Sequence, residues 1–541
     1  MRDRVRVATV QFATGTDLDE NLETCLRMLD AAAAEGAELV VMPEFCNHIS
    51  VYSDQDHCRS VAVSLDGLWL GALARRSAEH GVYTSLTVTV PRDGARVTAT
   101  NVLVDPHGRV VATADKQMLM GNERAHLSAG TEASPLPDTA FGPVGLYSCM
   151  DGVTFEVPRT LAVRGARLLL NSLNSFALDE ARLHIPVRAV ENGVFVVAAN
   201  KVGPLLPAEQ VPQFSRALGV PAEALNGAGE SQVVAPDGTV LAIAPRTGEA
   251  VVVADLDLST VKPDRLRGRR PEVYEPLAQS RTARPDSGRE PEVVTGCVPG
   301  AQENPELVHV AIDAGASLVV LPELTPPPPN IAPGVLVVTT ALRDDQHLGQ
   351  VWSADGVVHE QVQVHHCDRH AIATQLGTEV GLYPTPFGDL AVIVGDDHRY
   401  PEVFRLAAIA GAHLVAVCWQ PEHPWECDLA LMERAAENRI SVAACGPPGL
   451  LASTMLLDPP ADSLWNPNRS SPYNGTINTP ISHRVEPDDG FLIGTLHPGR
   501  AVNREVSKDT DLVGGRPWKA AAAIVALPVQ TTAAGVPAAP D

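Results

Sequence analysis

Ala34-Glu35-Gly36-Ala37-Glu38-Leu39-Val40-Val41-Met42-Pro43-Glu44 returns later in the chain as Asp313-Ala314-Gly315-Ala316-Ser317-Leu318-Val319-Val320-Leu321-Pro322-Glu323. In both copies a glycine stops the preceding segment, an unbroken apolar run follows, and Pro-Glu closes it. A run of that length between a glycine and a proline reads as a buried strand. Two more segments recur. Ala162-Val163-Arg164-Gly165-Ala166-Arg167-Leu168 pairs with Ala408-Ile409-Ala410-Gly411-Ala412-His413-Leu414, and Arg188-Ala189-Val190-Glu191-Asn192 with Arg434-Ala435-Ala436-Glu437-Asn438. The offset is constant at 246 from Phe141/Phe387 to Asn192/Asn438. Repetition on this scale predicts two homologous halves, each long enough for its own core.

Outward from these anchors, helices and strands alternate. Val5 to Phe12 reads as a strand. Leu18 to Glu35 reads as an amphipathic helix, with Asp17 or Asp19 as N-cap and Gly36 as stop. A helix over Leu68 to His80 leads to strands Val82–Val90 and Val97–Asp105, the turn Asp105-Pro106-His107-Gly108 and a hairpin partner from Arg109 to Ala114. A strand into Cys149, a helix Glu156–Arg164, a strand Ala166–Leu170, a helix Glu180–Glu191 and a strand Val194–Asn200 follow. A Gly/Pro-rich loop then precedes the last strands of the half. This alternation predicts an α/β fold with mixed sheets. The domains are read as 1–260, 261–292 (a Pro/Arg/Asp/Ser-rich linker or wrapped arm), 293–526 and an Ala/Pro-rich tail 527–541. The second copy has Pro326–Pro329 where the first has the Leu68–His80 helix.

Composition narrows the function. Of 541 residues, 45% are apolar and 20% charged, as in globular domains rather than disordered chains. A net charge of -24 argues against nucleic acid or an anionic membrane as partner. No stretch is long and apolar enough to predict a membrane span, and the N-terminus alternates like a strand rather than a secretion signal. Nine cysteines at irregular spacing, without a CxxC pair, fit a reducing cytoplasm.

Glu44, Lys116 and Cys149 each stand at or just beyond the end of an apolar strand in the first half, where α/β folds place their ligand crevice. Alone, each has a plain structural reading: a solvated strand end, a surface charge, a buried small hydrophobe. Together they suit acyl transfer. A carboxylate takes a thiol proton, the thiolate attacks a carbonyl, and an ammonium holds the developing oxyanion.

Pro43-Glu44, then Asn101, the Asp105–Gly108 turn and Lys116, then Cys149, Asp151 and Glu156, resemble the ordered pattern of the nitrilase superfamily, the carbon–nitrogen hydrolases. Arg188–Asn192 with Val196–Asn200, Gly229-Glu230-Ser231 and Pro236-Asp237-Gly238 resemble it too. The resemblance runs from Val5 to Tyr274 and again, degraded, from about Val293 to Trp518. It implies two tandem four-layer α-β-β-α sandwiches. It also implies Cys149 as nucleophile, Glu44 as general base and Lys116 with the Met150 backbone N–H as oxyanion donors. Glu123 then orients Lys116 or the substrate nitrogen. There are departures: Thr154-Phe155-Glu156 stands where aromatic-Pro-Glu is usual, Asp115 where Arg is common, and Met150-Asp151 where nitrile-cleaving members carry Trp-Glu. The last favours amide over nitrile.

In the second half Glu323 matches Glu44, but Gln363 falls on Lys116, His370 on Glu123 and Gly395 on Cys149, while Asp397, Glu402 and Arg405 keep the surrounding pattern. That half is expected to be inactive and to pair with the first as a covalent pseudo-dimer, with further self-association left open. The expected function is cysteine-dependent hydrolysis of a small-molecule amide or carbamoyl substrate through a thioester. The alternatives are N-acyl transfer, a non-catalytic binding module, or ammonia supply to a separate synthetase. No cofactor and no metal are expected. His365-His366-Cys367-Asp368-Arg369-His370 has metal-ligating residue types, but neighbours on a strand point to opposite faces, so a solvated or pocket-lining loop is preferred. Cys46, two residues past Glu44, could sit near the site, but packing or loop placement is the default reading.

Overall fold

The structure is a computed structural model that describes residues 2–450, 452–464, 466, 469–485 and 490–527. The Ala/Pro-rich tail read over 527–541 lies outside the described residues except for Leu527.

Each half is built from two six-stranded mixed sheets. In the first, one sheet runs Ala250–Asp257, Arg4–Gln11, Leu39–Val41, Tyr83–Pro91, Val97–Val104, Val110–Asp115. Its mate runs Val240–Ile243, Gln232–Val234, Phe195–Ala199, Leu168–Ser172, Gly142–Ser148, Asp138–Thr139. Strand parity sorts the side chains. Val5, Val7, Leu39 and Val41 face Leu168, Leu170, Phe195 and Val197 between the sheets. Their neighbours Ala8, Val10 and Val40 face outward, under Cys25, Met28 and Leu29 of helix Leu18–Ala34 and Leu70 and Leu73 of helix Leu68–His80. On the far side, Leu169 and Val196 lie under Val157, Leu161 and Ala189. The order is therefore helix, sheet, sheet, helix.

The second half repeats it. Its sheets run Gly356–Val362, Gln346–Ser353, Leu336–Arg343, Leu318–Val320, Val293–Cys297, Leu492–Leu496 and Tyr383–Thr385, Gly388–Val394, Leu414–Cys418, Ser441–Cys445, Met455–Asp458, Ile481–Arg484. Among the described residues, no helix separates Leu318–Val320 from Leu336–Arg343, as Pro326–Pro329 requires. Its outer layer there is α-helix Glu306–Asp313 with the 3-10 turn Pro299–Gln302.

Several elements differ from the sequence reading. Asp17, not Asp19, caps the first helix, accepting from Asp19 N and Glu20 N. The Gly/Pro-rich loop contains a helix, Val211–Leu218, opened by a proline and closed by Gly219 in the left-handed region. The helix read over Glu180–Glu191 begins with a π turn, Glu180–His184, before α-helix Ile185–Asn192.

The halves meet through equivalent surfaces. Arg188 Nη2 lies 2.8 Å from Glu437 Oε2, and its counterpart Arg434 Nη2 lies 2.6 Å from Glu191 Oε2. Likewise Arg405 Nε lies 2.9 Å from Glu156 Oε1, and Arg159 Nε 3.2 Å from Glu402 Oε1. Exchanging the two copies turns each contact into its partner, the signature of an isologous, two-fold interface. All eight side chains are buried, so each charge depends on its mate.

Both copies also lend a trailing arm. Arg270 Nη1 donates to Val364 O at 2.9 Å and to Gly377 O at 2.7 Å, and Ala283 N to Ile409 O at 2.8 Å. In return Ala520 O accepts from Thr160 Oγ1 at 2.7 Å and Thr510 Oγ1 from Gly121 N at 2.9 Å. Phe155, Val273, Tyr274, Leu406, Val513 and Ile524 close one apolar cluster where the two arms pass.

Candidate active site

Three strand ends of the first half bring Glu44, Lys116 and Cys149 together. Glu44 follows Leu39–Val41 and Pro43, and the residue after it, Phe45, takes a φ of 55° that breaks the strand and turns the chain. Lys116 follows Val110–Asp115. Its Nζ lies 2.9 Å from Glu44 Oε1 and donates to Glu123 Oε1 at 3.0 Å. Glu123 thus pairs with Lys116 in the buried site.

Cys149 follows Gly142–Ser148, with φ 45° and ψ -110°. Such a backbone is strained for a side-chain-bearing residue by roughly 1–3 kcal/mol. It is held there by its amide, which donates to Asn171 Oδ1 at 3.0 Å and to Ser172 O at 3.1 Å. Met150 opens the short helical turn Met150–Val153 directly beyond it. Asp151, two residues on, clasps the turn to the lysine loop by accepting from Gln117 N at 3.0 Å and Met118 N at 2.8 Å. Asn101 braces the strand below, donating from Nδ2 to Ser148 Oγ at 2.7 Å.

Burial sets the protonation states. It pushes Glu44 up to about 7, with Lys116 opposing. It raises the Cys149 thiol well above its usual range, again against Lys116. Burial would lower the Lys116 ammonium, but Glu123 and Glu44 outweigh it and hold that charge firmly. A protonated thiol therefore sits in one site with a carboxylate that titrates near neutrality and a permanent cation.

The mate sheet's neighbouring helix adds a residue that the sequence reading did not single out. Glu180, in the π turn, has its Oε1 3.9 Å from Cys149 Sγ and is pushed by burial up to about 7. The signal was present in the repeat, since Glu426 occupies the same place in the second copy. Asp179 beside it accepts from Ile477 N at 2.9 Å and Asn478 N at 2.7 Å, so the second half buttresses this turn. Lys201, also not singled out, is fully buried behind Glu44, donates to Phe45 O at 3.2 Å and is lowered by burial to about 8. Cys46 donates to Pro43 O at 3.1 Å within the helix–sheet core, in keeping with packing.

A cavity of about 350 Å³ opens beside Glu123, walled by Phe176, Leu206, Phe214 and Leu225 and, from the second half, by Leu464 and Lys508. Both halves shape it.

Residues 6–266 match the carbon–nitrogen hydrolase family. The first half of the chain belongs to the carbon–nitrogen hydrolases. It is 28% identical over 279 residues to a nitrilase of Pyrococcus abyssi, covering 50% of this chain and 99% of that one. It is 29% identical over 211 residues to the deaminated glutathione amidase of Escherichia coli O157:H7, covering 36% of this chain and 78% of that one. Among solved structures, a mutant of the Nesterenkonia amidase of the nitrilase superfamily aligns with a TM-score of 0.43 and 25% identity, over 51% of this chain and 98% of that one.

Two departures from the hydrolase pattern, Asp115 and Phe155, make their contacts outside the constellation. Asp115 pairs with Arg92 at 2.6 Å and accepts from Thr100 Oγ1 at 2.7 Å. Phe155 packs in the interface between the halves.

The second copy of the hydrolase fold keeps the backbone and changes the groups. Leu324 takes a φ of 57° after Glu323, and Gly395 a φ of 55° at the thiol position. Asp397 repeats the Asp151 clasp, accepting from Val364 N at 2.8 Å and His365 N at 2.7 Å. A Cβ at Gly395 would meet Gln363 Oε1 at 2.8 Å and Glu323 Oε1 at 2.9 Å. Glu323 is held below the usual carboxylate range, because His370 and Arg369 beside it outweigh its burial. The His365–His370 stretch does not converge on one point. His365 stacks on Tyr400 and lies 2.7 Å from Asp397 Oδ1, while His366 is exposed. Of its three histidines, His370 turns toward Glu323, with 3.4 Å between its Nε2 and Glu323 Oε2, and Arg369 reaches the same carboxylate.

Among the described residues no helix is long and apolar enough to cross a membrane. All nine cysteines are free and buried.

Proposed function

We propose that the first half hydrolyses a small-molecule amide or carbamoyl compound through a thioester on Cys149. The observation that carries this reading is the Lys116 ammonium, held 2.9 Å from Glu44 and 3.0 Å from Glu123 in one buried site with Cys149. Glu44 takes the thiol proton as Sγ attacks the carbonyl carbon. The developing oxyanion is held by Lys116 and the Met150 N–H. Glu44 then returns the proton to the leaving nitrogen, and ammonia or an amine departs. Water, deprotonated by Glu44, attacks the thioester and frees the acid. Glu123 keeps Lys116 aimed, and Glu180 orients the thiol. The mainly apolar cavity beside Glu123 supports an acyl group with an apolar body.

The second half acts in this reading as a non-catalytic homologue. Gly395 offers no nucleophile, and Gln363 no charge for an oxyanion.

The test is intact-mass spectrometry and ammonia assay of the full chain against a panel of amides and carbamoyl compounds, with and without added amines. An acyl adduct on Cys149 that is absent in Lys116→Ala, with ammonia or amine release, is the expected result. Acyl amide products on adding amines would move the reading to acyl transfer. No adduct and no release across the panel would overturn it.

A further inference from the structure

We propose that the thiol-free site of the second half binds a divalent transition-metal ion of the zinc type through Glu323, His347 and His370. One ligand atom from each lies within 4.8 Å of the other two. They come from three separate places: Glu323 beyond strand Leu318–Val320, His347 within Gln346–Ser353, and His370 at the end of the 3-10 turn Asp368–His370 that follows Gly356–Val362.

The hydrogen-bond network fixes the His347 tautomer that metal ligation needs. Gln363 Nε2 donates to His365 O at 2.5 Å, so its Oε1 points the other way. That oxygen lies 2.6 Å from His347 Nδ1 and must accept from it. His347 therefore carries its proton on Nδ1 and a bare lone pair on Nε2. An imidazole whose second nitrogen donates to a fixed amide oxygen is the outer-shell arrangement of a metal-bound histidine. His347 is fully buried, and its Nε2 has no hydrogen-bond partner. A buried lone pair left alone costs about 1–3 kcal/mol.

Spacing and charge agree. The 3.4 Å between His370 Nε2 and Glu323 Oε2 is long for a hydrogen bond. It matches the edge, about 3.4 Å, of a tetrahedron with 2.0–2.1 Å bonds. Arg369 is the cation at hand, but its Nη1 lies 2.6 Å from Asp396 Oδ1, so that carboxylate balances it. Its Nη2 donates to Glu323 at 3.4 Å, as an outer-shell donor would. Two imidazoles and one carboxylate suit zinc or cobalt, and not magnesium or calcium, which require oxygen ligands. Residue 395 is glycine and adds no side chain of its own to the site.

The probe is Co²⁺ alone, added to chelator-treated full-length protein. Equilibrium dialysis and visible d–d absorption report stoichiometry and coordination. The expected result is one four-coordinate ion per chain in wild type and in Cys149→Ala. Affinity should fall at least about tenfold in His370→Ala and Glu323→Gln. Cobalt should raise the unfolding midpoint of wild type and leave those of the two variants unmoved. His370 lies at the rim of the site, so its truncation tests ligation without emptying the core, and circular dichroism checks that each variant is folded. No bound ion in wild type, an ion retained in His370→Ala, or an ion lost in Cys149→Ala would each overturn the proposal.

Discussion

Glu44 and Glu323 end the same strand in two copies of one fold, and burial acts on both, yet their carboxyls move in opposite directions. Glu44 rises to about 7, because burial outweighs Lys116 and the Glu123 carboxylate adds to it. Glu323 falls, because histidine and arginine replace lysine and glutamate around it. Backbone is common to both sites: the left-handed residue after the glutamate, the positive φ at the thiol position, the aspartate clasp. The scaffold thus needs the turn, and the turn does not need the thiol. Removing the Cβ at 395 also lets Gln363 and Glu323 fill the space that a cysteine would occupy.

The largest expected effect is at the thiol itself. Cys149→Ala should lower turnover by about 10⁴-fold or more, read in the ammonia assay, with the thermal midpoint nearly unchanged. Retained activity would end the comparison.

Next are the paired interface arginines. Arg188→Ala and Arg434→Ala each strand buried carboxylates, and each should destabilise by about 3–5 kcal/mol in urea unfolding. They should separate in activity. Arg188 also donates to Gly152 O at 2.8 Å and Val153 O at 2.9 Å, in the turn that presents Cys149. Its loss should cut kcat where Arg434→Ala does not. Equal kcat in the two folded variants would show that the turn holds without the bridge.

Gly395→Cys tests the other copy. Overpacking against Gln363 and Glu323 should destabilise by about 1–3 kcal/mol and create no second acylation site by mass spectrometry. A doubly acylated chain would show that only the thiol was missing.

Glu44 gives the pH dependence. As a base it must be ionised, so kcat/KM should rise tenfold per unit below about 7 and level above it. Glu44→Gln should be slow and flatter across that range. Smallest is the cavity wall lent by the second half. Leu464→Ala should change KM a few-fold, about 1 kcal/mol, with kcat unaltered.

Much of this was legible in order and spacing alone. Period-two runs and glycine stops placed most strands of the first half within two residues, and the repeat named Gln363, His370 and Gly395 as the counterparts of Lys116, Glu123 and Cys149. Glu180 was legible only as a repeated residue, matched by Glu426, and not as a neighbour of the thiol, because a π turn shifts which helical residues face Cys149 and the 3.6-residue period conceals it. His347 was not legible either. It lies mid-strand, and only sheet packing brings it beside residues 24 positions before and 23 after it.

The sequence by itself determined the two α/β halves and the residue types that acyl chemistry needs, because burial periodicity and motif spacing are local properties of the chain. Tertiary structure alone decided how those residues act. The pairing of Arg188 with Glu437, the wall that the second half lends to the cavity, and the opposite shifts of Glu44 and Glu323 all depend on groups far apart in sequence. Charge interactions and desolvation follow distance in space, and no pattern along the chain encodes that distance.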